Sequence, residues 1–393
     1  MTVERVDPSR DQDFLPYSRP IVTEADVDAV AEAMRDPMIS QGPRLERLEA
    51  GFARLTGAAW AVGVSSGTAA LHAACFAAGL GPGDEVIVPA LTFAGTANAI
   101  LLTGATPVFA DIDAETFCIT IEEVQRLLSD RTRAILSVDF AGHPAPYDGL
   151  RAIADEHGLI LLSDSAHAPG SVYHGRTVGG STADMTAFSL NPVKNITGGE
   201  GGIVTGNDLA LCDTVTRFRT HGMTRDARLL EEGAPAGWYY EQQFLGLNYK
   251  LSELHAALAL SQLDRLATHN ETRARLATHY GHGLADLPLR LPRTREDVRH
   301  AWHLYVVRVE SGDASLRDRL FRFLHERRIG AQLHYIPVPL HPHYRRLGFS
   351  IAGLTQTRDY FQTAISLPLH PAMTEADCDR VVDVVRDFFR GDA

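Results

Sequence analysis

Between residues 59 and 221, short apolar runs alternate with longer amphipathic stretches, and this alternation constrains the fold more than any other feature of the chain. The runs Ala59–Val64, Glu85–Pro89, Thr106–Ala110, Ala134–Val138, Ile160–Ser163, Met185–Ser189 and Gly202–Thr205 are too short for buried helices. Bounded by turn residues, they read as buried strands, with helices predicted in the links between them. The pattern predicts an α/β domain, a mostly parallel sheet covered by helices. With its N-terminal segment, this large domain is expected to span residues 1–265.

Further on, a helix is predicted over Ser252–Asn270. After Pro288 the pattern becomes a strand (Leu304–Val309), a helix (Ser315–Arg327), a Pro/His-rich loop (Pro337–Tyr344) and a last helix (Thr374–Phe389). This predicts a smaller α+β domain over residues 266–393. Thr23/Asp26, Thr120/Glu123 and Thr374/Asp377 have the spacing of capping boxes, a structural signal only.

Charge narrows the function. With 37 basic against 49 acidic residues the net charge is -12, which argues against a nucleic-acid or anionic-membrane surface. The start, with Arg5, Asp7, Pro8, Arg10 and Asp11, lacks the apolar stretch of a secretory signal, so a cytoplasmic location is expected. Cys75, Cys118, Cys212 and Cys378 are widely spaced and read as buried small hydrophobes. His341/His343 and His300/His303 lack a third ligand motif, and no metal site is expected.

Only two of the 37 basic residues are lysine, Lys194 and Lys250. Lys194 follows a predicted strand and enters the glycine-rich run Thr197-Gly198-Gly199-Glu200-Gly201-Gly202. A chain that uses arginine for nearly all its positive charge and keeps a lysine there points to chemistry that guanidinium cannot do: imine formation and proton transfer. Asp164 ends another predicted strand, on the edge where open α/β sheets bind ligands, and His167 lies three residues on. Ser65-Ser66-Gly67-Thr68 joins a strand to an Ala-rich helix whose first N–H groups suit a phosphate. An amine, an acid and a phosphate site together are what pyridoxal 5'-phosphate requires. Gly63-Val64-Ser65-Ser66-Gly67 also fits the Gly-x-Ser-x-Gly elbow of serine hydrolases, a short match without acid or histidine motifs to support it.

Ser66-Gly67-Thr68-Ala69-Ala70-Leu71, Pro89-Ala90-Leu91-Thr92-Phe93, Asp164-Ser165-Ala166-His167-Ala168, Ser189 with Lys194, Gly199-Glu200-Gly201-Gly202 and Gly246-Leu247-Asn248-Tyr249-Lys250 follow one another across nearly the whole chain. In these motifs the sequence resembles the DegT/DnrJ/StrS family of sugar aminotransferases, which have the fold-type-I pyridoxal-phosphate architecture. Tyr17-Ser18-Arg19, His221-Gly222-Met223-Thr224-Arg225-Asp226, Trp238 to Gln243 and His334-Tyr335-Ile336-Pro337-Val338 are similar to the branch that aminates UDP-4-keto-6-deoxy sugars for pseudaminic acid.

The resemblance implies a role for each matching position. Lys194 would bond the cofactor, Asp164 would pair with its pyridine nitrogen, and His167 would sit by its phenolic oxygen. Phe93 would stack on the ring, and Gly67, Thr68 and Ser189 would hold the phosphate, with Asn248 reaching it from the other subunit of a homodimer. Lys250, Arg225, His334 and Tyr335 would bind substrate, with Arg228, Arg345 and Arg346 further candidates for its diphosphate. The implied reaction transfers the amine of L-glutamate to a nucleotide-linked keto-sugar, a UDP-4-keto-6-deoxy-N-acetylhexosamine, the alternative being another keto-sugar or a cyclitol. Three features depart from the family: Lys250 stands where arginine is common, Leu190-Asn191-Pro192 replaces Phe-His-Pro, and Thr197-Gly198-Gly199-Glu200 replaces Thr-Thr-Gly-Glu. A related dehydratase branch lacks the lysine that is present here.

Overall fold

The computed structural model describes residues 13–233, 236–310 and 314–391; the charged start from Arg5 to Asp11 lies outside them. All seven predicted strands form, within two residues of the expected ends. They are β1 (Trp60–Val64), β2 (Glu85–Pro89), β3 (Thr106–Ala110), β4 (Thr132–Val138), β5 (Ile160–Asp164), β6 (Met185–Ser189) and β7 (Gly202–Gly206). They make one sheet in the order β1-β7-β6-β5-β4-β2-β3. The interior of these strands is almost wholly buried, which is why they read as continuous apolar runs and not as alternating ones.

Helices do not fill every link. Gly67–Ala77, Ala94–Leu102, Ile121–Leu127 and Tyr147–His157 separate the first five strands, but no helix separates β5 from β6 or β6 from β7. The β5–β6 link instead carries the two-residue strands Val172–Tyr173 and Arg176–Thr177. Between β6 and β7 the chain has no crossover to carry it back to the starting edge. β7 therefore returns antiparallel, pairing Ser189 with Gly202 and Met185 with Gly206. Lys194 sits in this return loop.

The predicted Ser252–Asn270 helix is two helices. Glu253–Leu263 starts on an Ser252 cap, and a second helix, Leu266–Leu284, begins after a break at Asp264 and Arg265. That second helix brings Leu276, Ala277, Tyr280 and Leu284 into a separate apolar cluster with Leu320, Leu324, Val381 and Val385. The cluster lies against the antiparallel sheet of Leu289–Arg290, Tyr305–Val309 and Ala364–Leu367, and Leu15 from the start of the chain packs into it. The Pro/His-rich loop contains the short helix Pro342–Arg346. Thr23 and Thr374 make both capping-box bonds; at Thr120 the reciprocal one is missing, because Glu123 takes the Asp111 N–H instead. No helix among the described residues is long and apolar enough to cross a membrane.

Candidate active site

Because β1, β2, β4, β5 and β6 point the same way, their carboxyl ends open on one edge of the sheet. There they surround a cavity of ≈ 300 Å³. Gly67, Thr68, Phe93, Asp164, His167, Ser189, Lys194, His334 and Tyr335, nine of the residues singled out from sequence, line it together.

One wall is the start of the Gly67–Ala77 helix. The Ser66 hydroxyl caps it by accepting the Ala69 N–H at 3.1 Å, leaving the Gly67 and Thr68 N–H groups without intrahelical partners. Ser189, at the end of β6, presses against this turn: a β-carbon on Gly67 would stand 2.8 Å from Ser189 Cβ. Only glycine allows that approach, and the result is a cup of N–H and hydroxyl donors at the positive end of a helix.

Opposite lies Asp164, 6% exposed. Its Oδ2 accepts the Thr96 hydroxyl at 2.6 Å, with Thr92 2.7 Å behind Thr96, and its Oδ1 accepts the Ala166 N–H at 3.1 Å. Burial raises its proton affinity, while these donors and Lys194 pull it back. Desolvation also acts on Lys194, pushing its ammonium down to about 8 against the opposing pull of Asp164. An amine of that kind is partly neutral near physiological pH and can serve as a base.

His167 is held from both sides. Ala141 donates its N–H to Nδ1 at 3.3 Å, so the ring proton sits on Nε2, which is 3.0 Å from the Tyr335 hydroxyl. The His303 ring stacks on it at 4.3 Å. Burial keeps His167 and His303 well below the usual imidazole range and His334 down to about 3, with the Lys194 charge adding to each shift. All three are neutral, and among the described residues Lys194 is the sole lysine or arginine lining the cavity.

The remaining expected residues lie elsewhere. Asn248 and Lys250 are exposed on the stretch that runs beside the end of β1, where Ser65 N–H bonds the Tyr249 carbonyl at 2.8 Å. Arg225 is exposed too, with its guanidinium 5.7 Å from the centre of the Tyr240 ring, and Arg228 pairs with Asp226. Arg345 and Arg346 do not line the cavity. Conversely, sequence reasoning did not single out Thr96, weighed His303 only as a metal ligand, and gave Tyr17 no role at the site. Tyr17 comes from the N-terminal segment, which binds Leu369 N–H through the Tyr17 carbonyl and the Val193 carbonyl through Ser18. The four-residue step from Thr92 to Thr96 at a helix start was a readable signal for a paired hydroxyl relay; His303 has no local pattern.

A lysine with depressed basicity, a buried carboxylate and a phosphate cup within one cavity fit pyridoxal phosphate. Comparison with known proteins agrees. The DegT/DnrJ/EryC1/StrS aminotransferase family model matches residues 20–386. The chain belongs to that family. It is a pyridoxal-phosphate-dependent aminotransferase. The spore coat polysaccharide biosynthesis protein SpsC of Bacillus subtilis (strain 168) is 40% identical over 384 residues, covering 96% of this chain and 98% of SpsC. Among solved structures, Helicobacter pylori PseC, an aminotransferase involved in the biosynthesis of pseudoaminic acid, superposes with a TM-score of 0.89. It is 30% identical and is matched over 96% of this chain and 100% of its own. Spr1654 of Streptococcus pneumoniae, in its PLP form, gives a TM-score of 0.90 at 30% identity over 95% of this chain and 98% of its own. In this aminotransferase the Gly63–Gly67 run leads into the donor cup, and it is Ser66, not the Ser65 of a hydrolase elbow, that lines the cavity.

Proposed function

We propose that the enzyme moves the amino group of L-glutamate to the ketone of a nucleotide-linked sugar, a UDP-4-keto-6-deoxy-N-acetylhexosamine. The observation that carries the reading is the placement of Lys194 and Asp164 in one cavity with the phosphate cup. The choice of sugar is supported by the likeness to PseC and by the Tyr17, His334 and Tyr335 side chains that line the cavity. SpsC adds support for a polysaccharide precursor.

When bound, the cofactor supplies an electron sink for the carbanion left by removal of the Cα proton. Lys194 is the base that takes this proton and the acid that returns it, a task suited to an amine that titrates at about 8. Asp164 would hold a proton on the pyridine nitrogen. His167 would stand by the phenolic oxygen, Phe93 would stack on the ring, and Gly67, Thr68 and Ser189 would hold the phosphate. Tyr335 gives its oxygen to His167 Nε2–H, which leaves its own proton to point at substrate.

Among the described residues the cavity has one cation, yet the substrates bring a donor carboxylate and a diphosphate. Further positive charge must therefore come from outside this chain's cavity. We assign it to a second copy in a homodimer, whose exposed Asn248, Lys250 and Arg225 complete the site. The enzyme works in the cytoplasm in this reading, and residues 1–265 and 266–393 act as its large and small domains.

The test is spectroscopic. The pure protein should be yellow and bleach on addition of L-glutamate, Lys194→Ala should not turn over, and UDP-linked 4-keto-6-deoxy-N-acetylhexosamine should restore the colour. Failure to restore it with that sugar overturns the substrate assignment; failure to bleach overturns the donor.

A further inference from the structure

Behind Asp164 lies a second acid that the lining of the cavity does not include. Asp139 directly follows β4 and is fully buried. Its Oδ1 accepts the Ala145 N–H at 2.8 Å, the Tyr147 hydroxyl lies 2.8 and 2.7 Å from its two oxygens, and the Ser165 hydroxyl reaches Oδ2 at 2.5 Å. Tyr147 is in turn 2.6 Å from Ser163 Oγ, and Ser163 is 3.0 Å from Ser165. Every one of these partners is neutral. The titratable groups that act with Asp139 are Tyr147 on the Tyr147–His157 helix, Cys118 on the loop before the Ile121–Leu127 helix, and Asp164 on β5. None is a cation. Burial pushes the Asp139 carboxyl up to about 6, while the Ala145 N–H and the Tyr147 and Ser165 hydroxyls all aim at its oxygens, the donor set that a carboxylate accepts.

The network holds the site from two directions. Ser163 and Ser165 flank Asp164 in extended chain, so their hydroxyls point to the face opposite its carboxylate. Asp139 N–H also donates to the Asp164 carbonyl at 3.0 Å. The turn Phe140–Gly142 starts at Asp139 and is closed by the Gly142 N–H on the Asp139 carbonyl at 3.1 Å. In that turn Ala141, at φ 58, gives its N–H to His167 Nδ1 and its carbonyl to the His303 N–H at 2.8 Å.

We propose that Asp139 is a positioning residue, setting Asp164 and His167 from behind the sheet and strengthening, by its uncompensated negative charge, the hold of Asp164 on the pyridine proton. The inference rests on the reading above that Asp164 faces the pyridine nitrogen. Like charges about 10 Å apart in a protein interior shift each other's titration by on the order of one pKa unit. Loss of the Asp139 charge makes any cation in the site less favourable.

Asp139→Asn, prepared as the holoenzyme, should therefore show the visible band of its bound cofactor titrating about half to one pH unit lower than in the native enzyme. The Kd for cofactor, measured by adding it back to the apoenzyme, should rise severalfold. Ser165→Ala keeps the carboxyl and removes one clamp, the leading donor that holds it down, so it should weaken cofactor binding and move the midpoint in the same direction as Asp139→Asn but by less. Asp164→Asn separates the two layers of inference. If it changes neither midpoint nor Kd, the placement of Asp164 at the nitrogen fails; if it changes both while Asp139→Asn changes neither, the role of Asp139 fails alone. Should Asp139→Asn not fold, a native cofactor Kd in Ser165→Ala overturns the proposal.

Discussion

His167 Nε2 and the Tyr335 phenol oxygen are 3.0 Å apart, and since Ala141 occupies Nδ1, the proton between them belongs to the histidine. Tyr335→Phe removes the acceptor and keeps the ring against Phe93 and Phe140. A buried N–H left without a partner costs about 1–3 kcal/mol. The imidazole escapes that cost by turning, which moves it away from the cofactor. The variant is expected to melt slightly lower and to lose about tenfold or more in kcat/KM, a factor corresponding to about 1.4 kcal/mol. Steady-state kinetics beside thermal denaturation checks both; native kcat/KM would show that the hydrogen bond is idle.

Gly67→Ala tests the phosphate cup. The added methyl meets Ser189 Cβ at 2.8 Å and Oγ at 3.0 Å, too close for either residue to remain in place. Overpacking of this kind costs about 1–3 kcal/mol. Since the same movement opens the donor cup, cofactor affinity should fall much more than stability. Titration of the apoprotein with pyridoxal phosphate, read at the visible band, separates the two losses.

The strands and the residues that meet in the cavity were legible because both are local. Five-residue apolar runs closed by turn residues mark β2, β3 and β6 to the residue, and Asp164, at a strand end, and Gly67 and Lys194, in the segments that follow strands, each lie within their own short motif. What could not be read depends on distant partners. His303 is brought to the site by distant partners, its N–H on the Ala141 carbonyl and its ring 3.0 Å from Asn195, and Asp139 acquires its importance from Ser165, 26 residues away. The missing helix between β5 and β6 is of the same kind. Its Val172–Tyr173 strand is specified by pairing with Val298–Arg299, far along the chain.

Glu253 offers a structural control outside the cavity. It is fully buried, and its two oxygens accept the N–H groups of Gly42, Arg44 and Leu45, each at 2.9 Å, around the start of the Pro43–Thr56 helix. Arg44 itself lies 3.8 Å away. Glu253→Ala leaves three donors unsatisfied at a buried helix terminus, and a loss of about 2–4 kcal/mol follows. Chemical denaturation should show the fall in midpoint, and the cofactor's visible band should titrate at its native pH. A displaced titration would tie this helix end to the active site.

Lys194 makes a prediction about stability as well as catalysis. Its amine titrates at about 8 in the folded protein, against an ordinary value of 10.5, because desolvation outweighs the attraction of Asp164. Below about pH 8 the folded state carries the full penalty of a desolvated ammonium. Between there and 10.5 the unfolded chain binds the extra proton, so stability rises with pH, and above 10.5 the penalty is gone. Lys194→Met removes the ammonium and keeps the apolar stem. As the apoprotein it should be more stable than the native chain at pH 7, by on the order of 1–3 kcal/mol. The difference should shrink as pH climbs from about 8 towards 10.5. Urea unfolding of both apoproteins across that range measures it directly, and a gap that stays constant would mean that the lysine is fully solvated and no better a base than one on the surface.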